Sequence, residues 1–293
     1  MKRPSIAVLF SLSCLLVAPL LAQTTIGGGT CSSATVNGVY AVNIAGRQVN
    51  SSGTFQSVSQ ANGTANFDGL SKVTFALTED TNQAVGTQLS WSGTYSMQAN
   101  CAGTLTITTG GSATFSIVLF STGTNFLLSG NDSTYTYSGT GNNQPASACS
   151  ATPISGVYTF NANGFALNGT TVSGVENGAG LLQFDGQGHL TVNVTLVATG
   201  ASPNVLTLTG SYTLSNCVGT ASLTDSKSNS YVMNFSVSNA TTLYSSDFYA
   251  SLAQASKFIV TGMGHAAFNQ PTLTAVNPSQ KLLAASSDRG GRA

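Results

Sequence analysis

Two copies of the tripeptide Phe-Asp-Gly, Phe67-Asp68-Gly69 and Phe184-Asp185-Gly186, are the first residues of this chain that could do chemistry. A carboxylate placed twice in the same context could ligate calcium or act as a general base. The tripeptide is equally ordinary turn chemistry, in which Asp accepts bonds from following backbone amides and Gly supplies a positive φ. Asp185-Gly186-Gln187-Gly188 lacks the further acids of a calcium loop, so the hairpin reading is preferred. His189 follows the second turn where the first has Lys72, and His265 stands where the first copy has Asn142, so neither histidine recurs. Both read as exposed turn residues. Glu79, Asp80, Asp132, Glu176, Asp225 and Asp247 contain the material for a paired-carboxylate polysaccharide hydrolase, but only the turn aspartate is duplicated. No strand–turn–helix elbow presents a nucleophilic serine. The residues therefore assign no catalytic group, cofactor site or metal site.

Sulfur and aromatic side chains are the other chemistry-bearing groups. Cys14 lies in an N-terminal apolar run, and Cys31, Cys101, Cys149 and Cys217 follow it. Zinc ligation would require a CxxC pair or histidines beside these cysteines, and there are none. An even count in an exported chain argues for disulfides, with three pairings open. Phe75, Trp91, Tyr95 and Phe115, with Tyr212, Tyr231 and Phe235, fall on the apolar phase of their segments. They either fill a core or line a cavity for a small apolar ligand or a sugar.

The chain that positions these groups has 293 residues, with 9 Lys+Arg against 9 Asp+Glu and only 6% charged residues. An ordinary domain carries about 25%. There is no basic excess to neutralise phosphates, which argues against nucleic acid as a partner. The high net charge of a disordered chain is absent too. Lys2-Arg3 precedes an apolar run from Ile6 to Leu21, closed by Leu20-Leu21-Ala22, which reads as a signal peptide over residues 1–22. That run is too short and too interrupted to span a bilayer comfortably, and no later segment is apolar enough to do so. The expected location is secreted, periplasmic or cell-surface.

After the leader the chain repeats itself. Gly38-Val39-Tyr40 recurs as Gly156-Val157-Tyr158, Gly93-Thr94-Tyr95 as Gly210-Ser211-Tyr212, and Cys101-Ala102-Gly103-Thr104 as Cys217-Val218-Gly219-Thr220. The offsets run from 118 to 116 residues, so two modules are expected, 31–144 and 149–270. Residues 145–148 join them, and 271–293 form a tail without strand pattern. If the copies fold alike and independently, the disulfides are Cys31–Cys101 and Cys149–Cys217; pairing between copies is the competing arrangement.

Within each copy the period is two. Leu89, Trp91, Gly93, Tyr95 and Met97 alternate with polar residues, as do Leu206, Leu208, Gly210, Tyr212 and Leu214. No run of helical spacing exists. Asp-Gly, Asn-Gly and Gly-Gly pairs between the runs supply hairpin turns. In the first copy the pattern predicts strands near 38–45, 51–67, 72–79, 88–97, 103–108, 113–120, 124–130 and 133–139. Eight strands joined by short turns form a meander, and an apolar-faced meander removes its edges by closing. The expected fold is all-β, two tandem antiparallel modules of about eight strands, each a small up-and-down barrel, with a β-sandwich as the alternative.

With these motifs together (Gly-x-Tyr, Phe-Asp-Gly, Gly-Thr-Tyr, Cys-x-Gly-Thr), the chain resembles a loose group of secreted bacterial β-repeat proteins rich in Gly, Ser and Thr. The resemblance covers roughly 31–270 and implies no catalytic residues, because the group has no established activity. Likeness in strand count to lipocalin-like or allene-oxide-cyclase-like barrels is an analogy of fold. Three functions follow as expectations: an exported non-enzymatic structural, surface or binding module; lipocalin-like barrels holding a small apolar ligand; and an extracellular polysaccharide hydrolase. The partners these imply are a small apolar molecule or a cell-surface glycan, with no cofactor.

Overall fold

A computed structural model describes residues 30–120, 123–144, 154–238 and 248–266. The expected leader 1–22, Cys149, the linker 145–148, Asp247 and the tail 271–293 lie outside the described residues. The first eight strands are β1 (Asn37–Val49), β2 (Phe55–Asp68), β3 (Lys72–Thr81), β4 (Thr87–Met97), β5 (Ala102–Thr109), β6 (Ala113–Phe120), β7 (Asn125–Asn131) and β8 (Thr136–Gln144). The second eight are β9 (Ser155–Asn168), β10 (Thr171–Asp185), β11 (His189–Ala198), β12 (Asn204–Ser215), β13 (Val218–Thr224), β14 (Ser230–Val237), β15 (Phe248–Gln254) and β16 (Phe258–Ala266). Each set forms a closed antiparallel barrel in sequence order. The first closes where β8 pairs with β1, from Val39↔Gln144 to Arg47↔Thr136. The second closes where β16 pairs with β9, from Phe258↔Ala166 to Ala266↔Tyr158. The sandwich alternative is thereby set aside.

Alternation decides which face is inside. In β6 the buried residues are Ala113, Phe115, Ile117 and Leu119, and the exposed ones Thr114, Ser116, Val118 and Phe120. The same pattern throughout gives two separate apolar cores, one per barrel. Apolar inside and largely polar outside is the reverse of a membrane-spanning barrel. Among the described residues no helix is long and apolar enough to cross a membrane.

Most strand boundaries fall close to the periodic pattern; two differ for identifiable reasons. The strand expected at 51–67 begins at Phe55 because the Asn50 carboxamide oxygen accepts from the Ser52 and Thr54 amides and holds 50–54 as a turn. The strand expected at 133–139 begins at Thr136 because the Asp132 carboxylate takes up the Thr134 and Tyr135 amides, both at 2.6 Å.

The repeated motifs have structural duties at one end of each barrel. The Tyr95 hydroxyl donates to the Val36 carbonyl at 2.8 Å and to the Ser33 carbonyl at 3.0 Å. The Tyr212 hydroxyl donates to the Ile154 carbonyl, the equivalent position, at 2.7 Å. Each tyrosine thus ties the chain's entry segment across the mouth of its barrel. Burial pushes both phenols up to about 12, so they remain donors. A 3-10 turn at Ser33–Thr35 leads into β1. Phe126 faces Gly141 and Phe248 faces Gly264 across paired strands, and a Cβ on either glycine would stand 2.2 and 2.0 Å from the ring. Only glycine lets these rings lie flat on the neighbouring strand.

Cys31 and Cys101 form a disulfide within the first module, 70 residues apart. Cys217 is disulfide-bonded as well. Closing a 70-residue loop restricts the unfolded chain by about 4 kcal/mol in the chain-entropy account. Replacing Cys31 and Cys101 together by Ala is therefore expected to lower stability by 2–5 kcal/mol, read as a shift of the urea midpoint with the fold retained in circular dichroism.

Candidate functional site

Each turn carboxylate accepts backbone amides through one oxygen. Asp68 accepts from the Leu70, Ser71 and Lys72 amides at 2.8, 2.8 and 2.9 Å. Asp185 accepts from the Gln187 and His189 amides at 2.6 and 2.9 Å, and its other oxygen lies 2.7 Å from His189 Nδ1. Asp225 accepts from the Lys227 and Asn229 amides and from the Asn229 side chain, which with the other donors brings its carboxyl down to about 2. These are fixed, ionised turn anchors. His189 and His265 are both exposed as expected, but His265 is no turn residue: it lies within β16, paired with Thr159.

Among the described residues the remaining acids do not converge. Glu79 points into the first barrel, where the Ser59 hydroxyl donates to it and burial raises its pKa. Glu176 points into the second barrel from the position equivalent to Ser59, and burial alone raises it from 4.5 to about 7. Asp132 caps its turn and accepts the Tyr137 hydroxyl at 2.7 Å. Asp80, next to Glu79 on β3, points outward and is completely buried between the barrels. These carboxylates are thus divided among two interiors, a turn and a seam, whereas a glycosidase needs two facing one bond.

All seven aromatic residues singled out from the sequence are core. Phe75 packs on Trp91 at 6.1 Å between ring centroids, Tyr95 on Phe67 at 4.9 Å and Phe115 on Tyr137 at 5.6 Å. Tyr212 packs on Phe184 at 5.1 Å, Phe235 on Phe184 at 5.5 Å and Tyr231 on Phe258 at 6.1 Å. Most are edge-to-face contacts, which favour the ring quadrupoles.

The two barrels meet along a polar seam that periodicity could not reveal. Asn234 Nδ2 donates to both Asp80 oxygens, at 3.1 and 3.2 Å, and the Ser251 hydroxyl donates to Oδ2 at 2.5 Å. The Gly86 amide adds a fourth bond at 2.8 Å. Without a cation beside it, burial raises the Asp80 carboxyl despite these donors. Asn43 donates to Asn62 Oδ1 at 2.7 Å and to the Thr261 hydroxyl, and Asn82 donates to the Thr170 carbonyl at 2.6 Å. Phe55 meets Phe165 at 5.0 Å, with the Arg47 guanidinium 6.0 Å from the Phe165 ring.

Beside this seam runs a groove of about 780 Å³. Its first wall is the outer surface of β1 and β6–β8, including Asn43, Arg47, Ser116, Val118, Leu127 and Ser138. Its second is the outer surface of β9, β15 and β16, including Asn161, Asn163, Tyr249, Thr261 and Met263. Asn43 and Asn161 hold the same place in their modules, as do Leu127 and Tyr249. None of the seven core aromatics lines it. Amides and hydroxyls over small apolar patches, with one guanidinium, can hydrogen-bond and pack on a neutral polar surface; they hold no acid–base pair. Among the described residues no cluster of three or more His, Cys, Asp or Glu could hold a metal. Compared with known families and curated proteins, the chain matches no family model and no curated protein.

The interior glutamate generates a pH prediction. Folded Glu176 holds its proton to about pH 7, whereas the unfolded chain releases it near 4.5. Its contribution to stability is therefore full below pH 4.5 and lost as pH rises to about 7. Urea midpoints of the wild type should fall across that window, and Glu176→Gln should flatten part of the fall.

Proposed function

We propose that this protein is an exported, non-enzymatic structural or surface module that meets its partners through the outsides of its barrels. The observation that carries the reading is the packing of both interiors with aromatic rings, which leaves the outer faces and the inter-barrel groove as the contact surface. Support for export comes from the leader pattern of residues 1–22 and the disulfide closing the first module. The low charge and the commitment of the turn aspartates to backbone amides support a role in contact rather than chemistry.

A second reading is favoured by the groove lining. Asn43, Asn161, Asn163 and Arg47 present amide and guanidinium groups of the kind that hydrogen-bond sugar hydroxyls, so a cell-surface glycan suits the groove. A lipocalin-like ligand has less support, because the residues that would line its pocket pack on one another.

The test of export is the processed chain from its native host. Mass spectrometry of the extracytoplasmic fraction should find a mature N-terminus at Gln23 and no free thiol. Recovery of the whole chain from Met1 in the cytosolic fraction, with reduced cysteines, would overturn the reading. A glycan panel probed with the same material, with Asn163→Ala as control, examines the second reading.

A further inference from the structure

The seam joins unlike faces of like modules. The first barrel contributes the outside of β1–β3 and the second the outside of β14–β16, joined by Phe165 of β9 and the start of β10 against β2. A contact of this kind is heterologous: each molecule keeps one face of either type unused. The equivalent of β1–β3 is β9–β11, of which Leu181 on β10 and Val197 on β11 stand exposed, and the equivalent of β14–β16 is β6–β8, which is also the first wall of the groove.

Strand registers give the equivalent residues. Phe67↔Val73 matches Phe184↔Leu190, so β2 and β3 map to β10 and β11 at 117 residues. Leu119↔Phe126 matches Val237↔Phe248, so β6 maps to β14 at 118 and β7 to β15 at 122. The Leu119 amide bonds the Cys101 carbonyl just as the Val237 amide bonds the Cys217 carbonyl. At the seam, buried Asn62 and Asp80 lie on the side of Asn234, Ser236, Tyr249 and Ser251, and Thr64 follows Asn62 on the same face. On the unused faces the equivalents are Ala179, Leu181 and Val197, and Ser116, Val118, Leu127 and Ser129. Ser236 sits against the Val42 carbonyl, beside Gly63 on the paired strand. The same placement in a second molecule sets Val118 over the Phe160 backbone, flanked by Ala179 and Leu181, the Phe160 ring itself being inside its barrel. Asn62 and Asp80 on one side, and Ser236 on the other, are thus replaced by Ala179, Val197 and Val118.

These faces are exposed. Val118, Phe120 and Leu127 are 40, 44 and 50% exposed, and Val175, Leu181 and Val197 are 41, 43 and 43% exposed. They are six of the ten exposed large hydrophobic side chains among the described residues, gathered on the two surfaces the repeat designates.

We infer that a second copy of this chain occupies the vacant seat. The outer face of β10–β11 of one molecule packs on the outer face of β6–β7 of the next, repeating the intramolecular contact with an apolar centre. This rests on the reading of the chain as a structural or surface module and names its partner. Because the contact is head-to-tail, it propagates into a filament or closes into a ring.

Sedimentation velocity of the oxidised, processed chain tests this directly. The mean mass of the wild type should rise with concentration. Leu127→Lys and Leu181→Lys each spoil one face, so each alone should sediment as a monomer, while their equimolar mixture should form dimers through the faces left intact. Leu70→Lys, at a 75% exposed turn position, should associate like the wild type. If either lysine variant fails to fold, Val118→Lys or Val197→Lys takes its place. Monomeric wild type up to millimolar concentration overturns the proposal, as does association that survives both variants. A mixture that stays monomeric while the wild type associates shows a two-fold contact and overturns the head-to-tail arrangement. Monomers that bind a glycan put a sugar in the seat and leave the export reading, tested by the mature N-terminus, untouched.

Discussion

A sheet with one apolar face must cover that face and find hydrogen-bond partners for both its edges, and closure into a ring meets both demands at once. Every other feature of these modules depends on that closure. Eight strands give an interior about wide enough for side chains to fill, and here Tyr40, Phe67, Phe75 and Phe126, with Phe160, Phe184, Phe235 and Phe248, occupy it. The rings that occupy the interiors pack on one another. Contacts with other molecules then fall to residues that face outward, where the chain carries Ser, Thr, Asn and a small number of clustered hydrophobic side chains.

The two barrels agree where closure needs it and differ where they meet. Tyr95 and Tyr212 tie the same entry segment, and Phe126 over Gly141 repeats as Phe248 over Gly264. Inside, one carboxylate survives per barrel but on different strands: Glu79 beside Ser59 in the first, Glu176 opposite Ala198 in the second. Outside, Asp80 is matched by Val197, Asn62 by Ala179 and Thr64 by Leu181. Burying Asp80 carries a desolvation penalty offset by four hydrogen bonds from three donors, two of them side chains of the other barrel. A seam built this way specifies one partner face, since any neighbour lacking Asn234 and Ser251 would leave the buried carboxylate with the Gly86 amide alone of its present donors.

Much of the fold was legible in the residues because strand alternation and turn chemistry are local. Leu89, Trp91, Tyr95 and Met97 mark an inward face without reference to any other segment, and Asp68-Gly69 marks its turn. The two displaced strand starts, at Phe55 and Thr136, were hidden because the Asn50 and Asp132 side chains prolong turns by bonds that composition does not display. Little of the candidate site was legible. Asp80 reads in sequence as one of several scattered acids, and Val118 and Leu127 read as ordinary alternation breaks. Their significance lies in which barrel stands beside which strand, and that is a property of outward faces with no periodic signature.

The order of residues alone determined an all-β chain of two like modules, its turn pairs and many of its inward-facing side chains, because each follows from spacing within a single strand or turn. Tertiary structure decided that Glu79 and Asp80, neighbours in the chain, serve different surroundings, one a barrel interior and the other a seam. It also decided that the two like modules meet through unlike faces. Contacts between closed barrels are set by shape and by polar pairs far apart in the chain, and no local rule encodes them.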